Sequence, residues 1–233
     1  MDTNSLEFVL RKNQAEFGSL FPFSIDNENS IVLDFSERNV ALSTINLANT
    51  YELSNYVTNC LQSANAVAGV GGYNEERVIY KRSKLFVDQK GNPRFIHLGI
   101  DIWIEPNTII CCPIDGIVHS LKDNKGFGDF GPTIILEHEI DGVVFYTLYG
   151  HLTEISIESI KVGDFIKKNQ NFCSIGLPPS NGDWPPHLHF QIISNMLDYD
   201  GDYAAVCSLP DREIFLNLCP NPNIILQIPS LPI

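Results

Sequence analysis

The 233-residue sequence holds no apolar run approaching the roughly 18 residues that a membrane-spanning helix requires, so no membrane span is expected. Basic residues are scarce. Lys and Arg number 15 against 28 Asp and Glu, a net charge of −13, and a field of that sign repels phosphate backbones and anionic headgroups. Nucleic acid is therefore not an expected partner. The opening residues, MDTNSLEFVLRKNQAEFGSL, contain no basic stretch leading into an apolar one and no small-residue cleavage site, which gives a cytoplasmic expectation. The six cysteines lie at irregular spacings without a CxxC pair. In a chain of this length they read as reduced, mostly buried thiols rather than a disulfide framework. Charged residues are few at 18%, apolar residues reach 44%, and 16 Gly and 14 Pro follow no period. These numbers exclude a disordered acidic chain, a coiled coil and a collagen-like repeat. What remains is a globular chain long enough to bury roughly 70–75% of its unfolded surface.

Two textures divide it. Residues 1–75 form a small α+β leader: SLEFVLRKNQAEF and LSNYVTNCLQSANAV space apolar residues at helical intervals, and NSIVLDFS between them reads as a short strand. The Gly-rich, then acidic, run AGVGGYNEE (68–76) is the expected boundary. From residue 76 to 233 short β-branched and aromatic segments recur between turn signals, and Asp141-Gly142 marks a tight hairpin. The expected class is mainly β with an α+β amino-terminal region, the β part being an antiparallel sheet or barrel-like sandwich. In the loop-rich tail one helix is expected to start at Asp211, capped by its carboxylate.

All six histidines fall in the β region. In His97-Leu98-Gly99-Ile100-Asp101 the outer side chains of a flat strand would sit about 13 Å apart at 3.3 Å per residue, too far to share an ion. A bend at Gly99 closes that gap and offers an imidazole and a carboxylate, a donor set suited to zinc. His187 and His189, at i and i+2 after Trp184-Pro185-Pro186, share a strand face. With one as third ligand and the other free the result is an open, catalytic type of zinc centre, though spacing alone does not say which one ligates. His151 follows Gly150 at a strand end and is a candidate acid/base group. Tyr149 and Trp184 are candidates for substrate contact, whereas Trp103 reads as core. His119 and His138 lie within alternating strand patterns and read as partly exposed structural histidines.

The segments HLGID, TLYGHL and PHLHFQI, in that order, with the framework segments CPIDGIV and VGDFIKKNQNFCSIG, resemble the lysostaphin/LytM-type zinc metallopeptidases that cut peptidoglycan cross-bridges. The resemblance spans roughly residues 78–194. It implies a lysostaphin-type fold, one zinc held by His97, Asp101 and His189, His187 as general base, and His151 stabilising the tetrahedral intermediate. It also implies a peptidoglycan-like peptide as substrate. The wording DFGPTIILEH, NGDWPPHLHFQ and GDYAAV is similar to the version of this module fused between kinase-like and class III aminotransferase domains in some cytosolic bacterial proteins, which implies a cytoplasmic substrate. Two other readings compete. One is a zinc-binding or zinc-free recognition module, which would be expected to lack a ligand. The other is a lipoyl- or biotinyl-carrier module, which would need an exposed acceptor lysine flanked by methionines, and the methionines here are Met1 and Met196.

Overall fold

A computed structural model describes residues 3–233. The leader opens with α1 (Thr3–Lys12), β1 (Ser30–Val32), α2 (Thr50–Ser63) and β2 (Ala68–Gly71). Asn49 accepts from the backbone N–H groups of Tyr51 and Glu52 and so caps α2. Short strands follow: β3 (Arg94–His97), β4 (Ile100–Trp103) and β5 (Ile109–Cys111). Three long ones come next: β6 (Gly116–Asn124), β7 (Gly131–Ile140) and β8 (Val143–Gly150). After α3 (Glu154–Glu158) come β9 (Phe165–Ile166), β10 (Asn171–Ser174), β11 (His187–Ile193), β12 (Val206–Ser208), α4 (Arg212–Leu218) and α5 (Asn223–Leu226).

Eight strands form one sheet in the order β1-β2-β4-β11-β8-β7-β6-β9, antiparallel except for the β1/β2 pair. The sheet is open rather than closed into a barrel, and β10/β5 and β12/β3 form two further ribbons. Ile140 pairs with Val143 across Asp141 and Gly142, both at positive φ (51° and 76°), which is the twist a two-residue hairpin turn demands.

The residues expected to separate two regions instead join them. Ala68–Gly71 is a fully buried strand lying between β1 and β4, so the leader's strands extend the same sheet. Leu6 and Leu10 of α1 belong to one core with Ile100, Ile102, Leu188, Phe190 and Ile192. The helix expected from Asp211 spans Arg212–Leu218, but the Asp211 carboxylate does not cap it; Oδ2 accepts from Ser208 Oγ at 2.8 Å. All six cysteines are free thiols. Among the described residues no helix is long and apolar enough to cross a membrane.

Candidate metal centre

Strand β11 is buried at all seven positions, and its alternation sorts them. Leu188, Phe190 and Ile192 enter the main core, which turns His187, His189 and Gln191 to the other face. Antiparallel register sets His189 opposite Asp101 and His187 opposite Trp103. The neighbours of this pair lack side chains. Gly150 faces His189 from β8, and Gly71 faces Asp101 from β2. A Cβ on Gly71 would come within 2.6 Å of Trp103 and Arg77, so glycine clears the space into which those groups fit.

His97 arrives from a different ribbon. It ends β3, which pairs with β12, and the chain crosses at Leu98-Gly99 into β4 of the large sheet. A Cβ on Gly99 would lie 2.5 Å from His189 Cε1 and 2.8 Å from the Phe190 carbonyl. The bend therefore needs glycine for close approach. It brings His97 Nε2 to 3.2 Å from Asp101 Oδ1 and 3.1 Å from His189 Nδ1, with His189 Nδ1 2.9 Å from Asp101 Oδ1.

The chemistry of this triangle fits a cation. His97 Nδ1 lies 3.1 Å from the Gly72 carbonyl, which accepts the ring's N–H and leaves Nε2 bare. The Gln191 amide nitrogen donates to the Ala204 carbonyl (3.1 Å), so its oxygen faces His189 Nε2 at 2.9 Å and takes the N–H there, leaving Nδ1 bare. Two nitrogen lone pairs and a carboxylate oxygen thus face one another about 3 Å apart with no proton assigned between them. Ligands about 2.0–2.1 Å from a tetrahedral zinc are separated by about 3.3 Å, close to the spacing found. Carbonyl and amide partners that fix ligand tautomers are the usual outer support of such centres.

Arg77 is the member of the site that the sequence reading did not single out. Its guanidinium is fully buried, donates from Nη1 to Asp101 Oδ2 and from Nε to Glu75 Oε2 (2.6 Å), and lies over the Phe35 and Trp103 rings. Burial pushes the Asp101 carboxyl up, but His97, Arg77 and His189 together outweigh it and hold the group well below the carboxylate range. Gly72, Glu75 and Arg77 all precede the first histidine by 20 residues or more, the first two in the segment expected to be a boundary and Arg77 directly after it. Gln191 was within reach of pattern reasoning, because i+2 from His189 on a strand is the same face.

His187 and His151 flank the triangle, their rings 4.1 Å apart. His187 Nδ1 donates to the Pro185 carbonyl (2.7 Å) and His151 Nδ1 to the Asn181 carbonyl (2.8 Å), so both Nε2 atoms are bare acceptors. His187 Nε2 is 4.0 Å from Asp101 Oδ1, at the edge of the triangle. Trp103 stacks on His187 at 5.5 Å and 19°, and Trp184 meets it edge-on at 6.2 Å. Both tryptophans therefore wall the site, Trp103 as well as Trp184.

Tyr149 does not. It is fully buried in the main core against Phe172 and Phe190, and its hydroxyl accepts from Thr147 Oγ1. Two residues apart on a regular strand, Tyr149 and His151 would share a face, but His151 has φ +63°, a left-handed step that breaks the strand alternation between them. His138 and His119 lie outside the cluster. His138 is buried between the Asp115 carbonyl and Thr147 Oγ1, rather than partly exposed, and His119 packs on Tyr146 at a β-bulge.

Residues 95–200 match the model of peptidase family M23. Over that stretch, a little under half of its length, the chain is similar to this peptidase family. Among solved structures it is similar to the catalytic domain of the antimicrobial peptidase lysostaphin from Staphylococcus simulans, at 20% identity over 69% of this chain and 97% of that one, with a TM-score of 0.42. A zinc-containing peptidase from Vibrio cholerae is 24% identical over 52% of this chain (TM-score 0.36), and Csd3 of Helicobacter pylori is 27% identical over 53% (TM-score 0.33). The chain spans about a third of the length of these last two proteins, 31% and 32%. No curated protein gives a significant match.

Buried histidines make the fold acid-sensitive. Burial pushes His97, His138 and His187 down to about 4, whereas the unfolded chain titrates near 6.5. Between those values the unfolded state binds protons that the native state does not, so stability is full above pH 6.5 and is lost as pH falls toward 4. At about 1.4 kcal/mol per unit, each group contributes on the order of 3 kcal/mol across that window. Urea midpoints of the metal-free protein are expected to fall steeply between pH 7 and 5; a flat profile would mean these rings are not buried neutral.

Proposed function

We propose that this chain is a zinc-dependent peptidase that hydrolyses a peptide or amide bond, with His97, Asp101 and His189 holding the metal. The observation that carries the reading is the convergence of three proton-free donor atoms within 3.2 Å of one another. Zinc bound there would supply Lewis-acid polarisation of the scissile carbonyl and activation of a water. The remaining steps belong to the chain's own groups.

His187 Nε2, bare and beside the triangle, takes the proton of the attacking water and returns it to the leaving amine. The Pro185 carbonyl keeps the opposite nitrogen protonated throughout, so the ring cannot present the wrong tautomer. His151 starts as an acceptor too, since its N–H points at the Asn181 carbonyl. It becomes a donor to the oxyanion only after gaining a proton, and its ring contact with His187 gives that proton a second place to reside. Burial, followed by the neighbouring His187 and His189, holds His151 well below its ordinary value, so the cationic form is short-lived without an anion to pair with. The family's peptidoglycan-type peptides are one substrate class; the net charge of −13 works against approach to an anionic polymer and favours a smaller peptide or amide.

Metal content of the purified chain by mass spectrometry tests the centre. About one zinc per chain, lost in His189→Ala, is the expected result. Failure to take up zinc when it is supplied would favour a recognition module that keeps the fold without the reaction.

A further inference from the structure

The catalytic face does not open onto a groove. Asp101 and all four site histidines are at most 5% exposed, because residues that precede the M23-matched stretch lie over them. Tyr80 packs on Phe86 at 4.7 Å, both rings meet Trp184 edge-on, and Tyr80 reaches the His97 ring at 6.3 Å. Beneath this aromatic roof is a cavity of about 230 Å³, below the usual range of about 300–1,000 Å³ for ligand pockets. Its exposed lining side chains, Leu85 and Tyr199, mark the mouth. A cross-linked polymer strand has no path through so small a space.

Two features say what enters. The bare Nε2 atoms of His187 and His151 belong to side chains more than nine-tenths buried that line this cavity without a hydrogen-bond partner there. The cavity wall also carries Asp129 and Asp202. Asp129 adjoins Phe130, whose ring packs on His151 and His189 at 5.7 and 5.1 Å, and it lines the same cavity as those histidines. Each aspartate uses Oδ1 to accept a backbone N–H, from Phe130 (2.8 Å) and Tyr203 (2.7 Å) respectively. Among the described residues neither forms an ion pair. Arg94 lines the same wall, but its terminal nitrogen donates to the Leu85 carbonyl. Two carboxylates thus share the cavity wall with one guanidinium, and the other cation near them, Lys122, is exposed to solvent. Burial pushes both aspartates up, and Asp129 raises Asp202 further, by more than Lys122 and Arg94 lower them.

Resting on the peptidase reading above, we propose that the substrate is a small peptide or amide bearing a free ammonium group, which Asp129 and Asp202 bind while the scissile carbonyl lies at His187 and His151. The roof selects size and the aspartate pair selects charge.

Glycyl-glycinamide and its N-acetyl form, which differ in that ammonium, separate the possibilities. Calorimetric titration of zinc-loaded His187→Ala protein is expected to show the free amine binding at least about tenfold tighter, the range expected for a desolvated charge pair. In Asp129→Asn/Asp202→Asn protein the preference should fall toward one, with the asparagine oxygens still accepting the backbone N–H groups and the melting temperature preserved. Either single variant, giving part of the loss, serves if the double variant does not fold. Equal binding of the two probes, no binding of either, or a preference that survives both substitutions overturns the proposal. Hydrolysis by the native zinc-loaded chain reports separately: turnover without ammonium preference refutes the inference alone, and preference without turnover refutes the peptidase reading while the inference stands.

Discussion

Replacing His187 with alanine leaves about one zinc per chain and lowers kcat by about 10²–10⁴-fold, the usual weight of a positioned general base. The two effects separate because His187 borders the donor triangle without joining it. Its Nε2 lies 4.0 Å from Asp101 Oδ1, against 2.9–3.2 Å among the three donors. No other group is placed to substitute fully. His151 has a bare Nε2 4.1 Å away, ring centre to ring centre, but it is held by Asn181 at the far side of the pair. His187→Ala/His151→Ala should therefore fall little further than His187→Ala alone, as expected of two residues acting as one unit. Metal analysis and single-turnover rates on the same samples check both halves. An active His187→Ala protein would move the base to His151, and loss of zinc in it would make His187 a ligand.

The convergence of His97, Asp101 and His189 was legible in the sequence because strand alternation and one glycine carry it. His187 and His189 had to share a face, and Gly99 was the residue at which His97 and Asp101 could be folded together. The support behind the ligands was not legible. Gly69, Gly71 and Gly72 resemble linker composition, yet Gly69 and Gly71 lie in β2, where the missing side chain of Gly69 makes room for Leu33 and that of Gly71 for Trp103 and Arg77. A strand buried on both sides by larger neighbours has no pattern of its own. Arg77 was hidden for a related reason: a lone arginine after three acidic or polar residues reads as solvated surface, and its inward setting comes with a long-range bridge of Glu76 to Ile96 and the Arg77 N–H bond to the Phe95 carbonyl. Tyr149 misled in the opposite direction, since periodicity assumes an extended backbone and His151 leaves it. The open edge of the sheet depends on which strands pair at long range, and strand texture alone does not carry that information.

Asp101→Ala is expected to cost both metal and stability, the latter by about 3–5 kcal/mol in the metal-free protein, the range for removing one partner of a buried ion pair. The two carboxylate oxygens have separate partners. Oδ1 faces His97 and His189, and Oδ2 accepts from Arg77, a guanidinium with no exposed surface and with Nη2 already lacking a partner. Without Asp101, Arg77 keeps Glu75 and a long contact to the Tyr80 hydroxyl (3.4 Å), and its charge stays in an apolar setting between Phe35 and Trp103. Adding Arg77→Met to Asp101→Ala removes that stranded charge. The double variant should therefore be more stable than Asp101→Ala alone, by about 1–3 kcal/mol, while remaining zinc-free. Arg77→Met by itself retains all three ligands but frees Oδ2 to swing toward the ion, and zinc affinity is expected to fall about 10–100-fold, as for loss of an outer-shell partner. Urea midpoints and zinc competition titrations on the three proteins measure the cycle. Additive stabilities would mean that Arg77 and Asp101 act independently. Unchanged zinc affinity in Arg77→Met would mean that Arg77 neutralises Asp101 without helping to hold the metal.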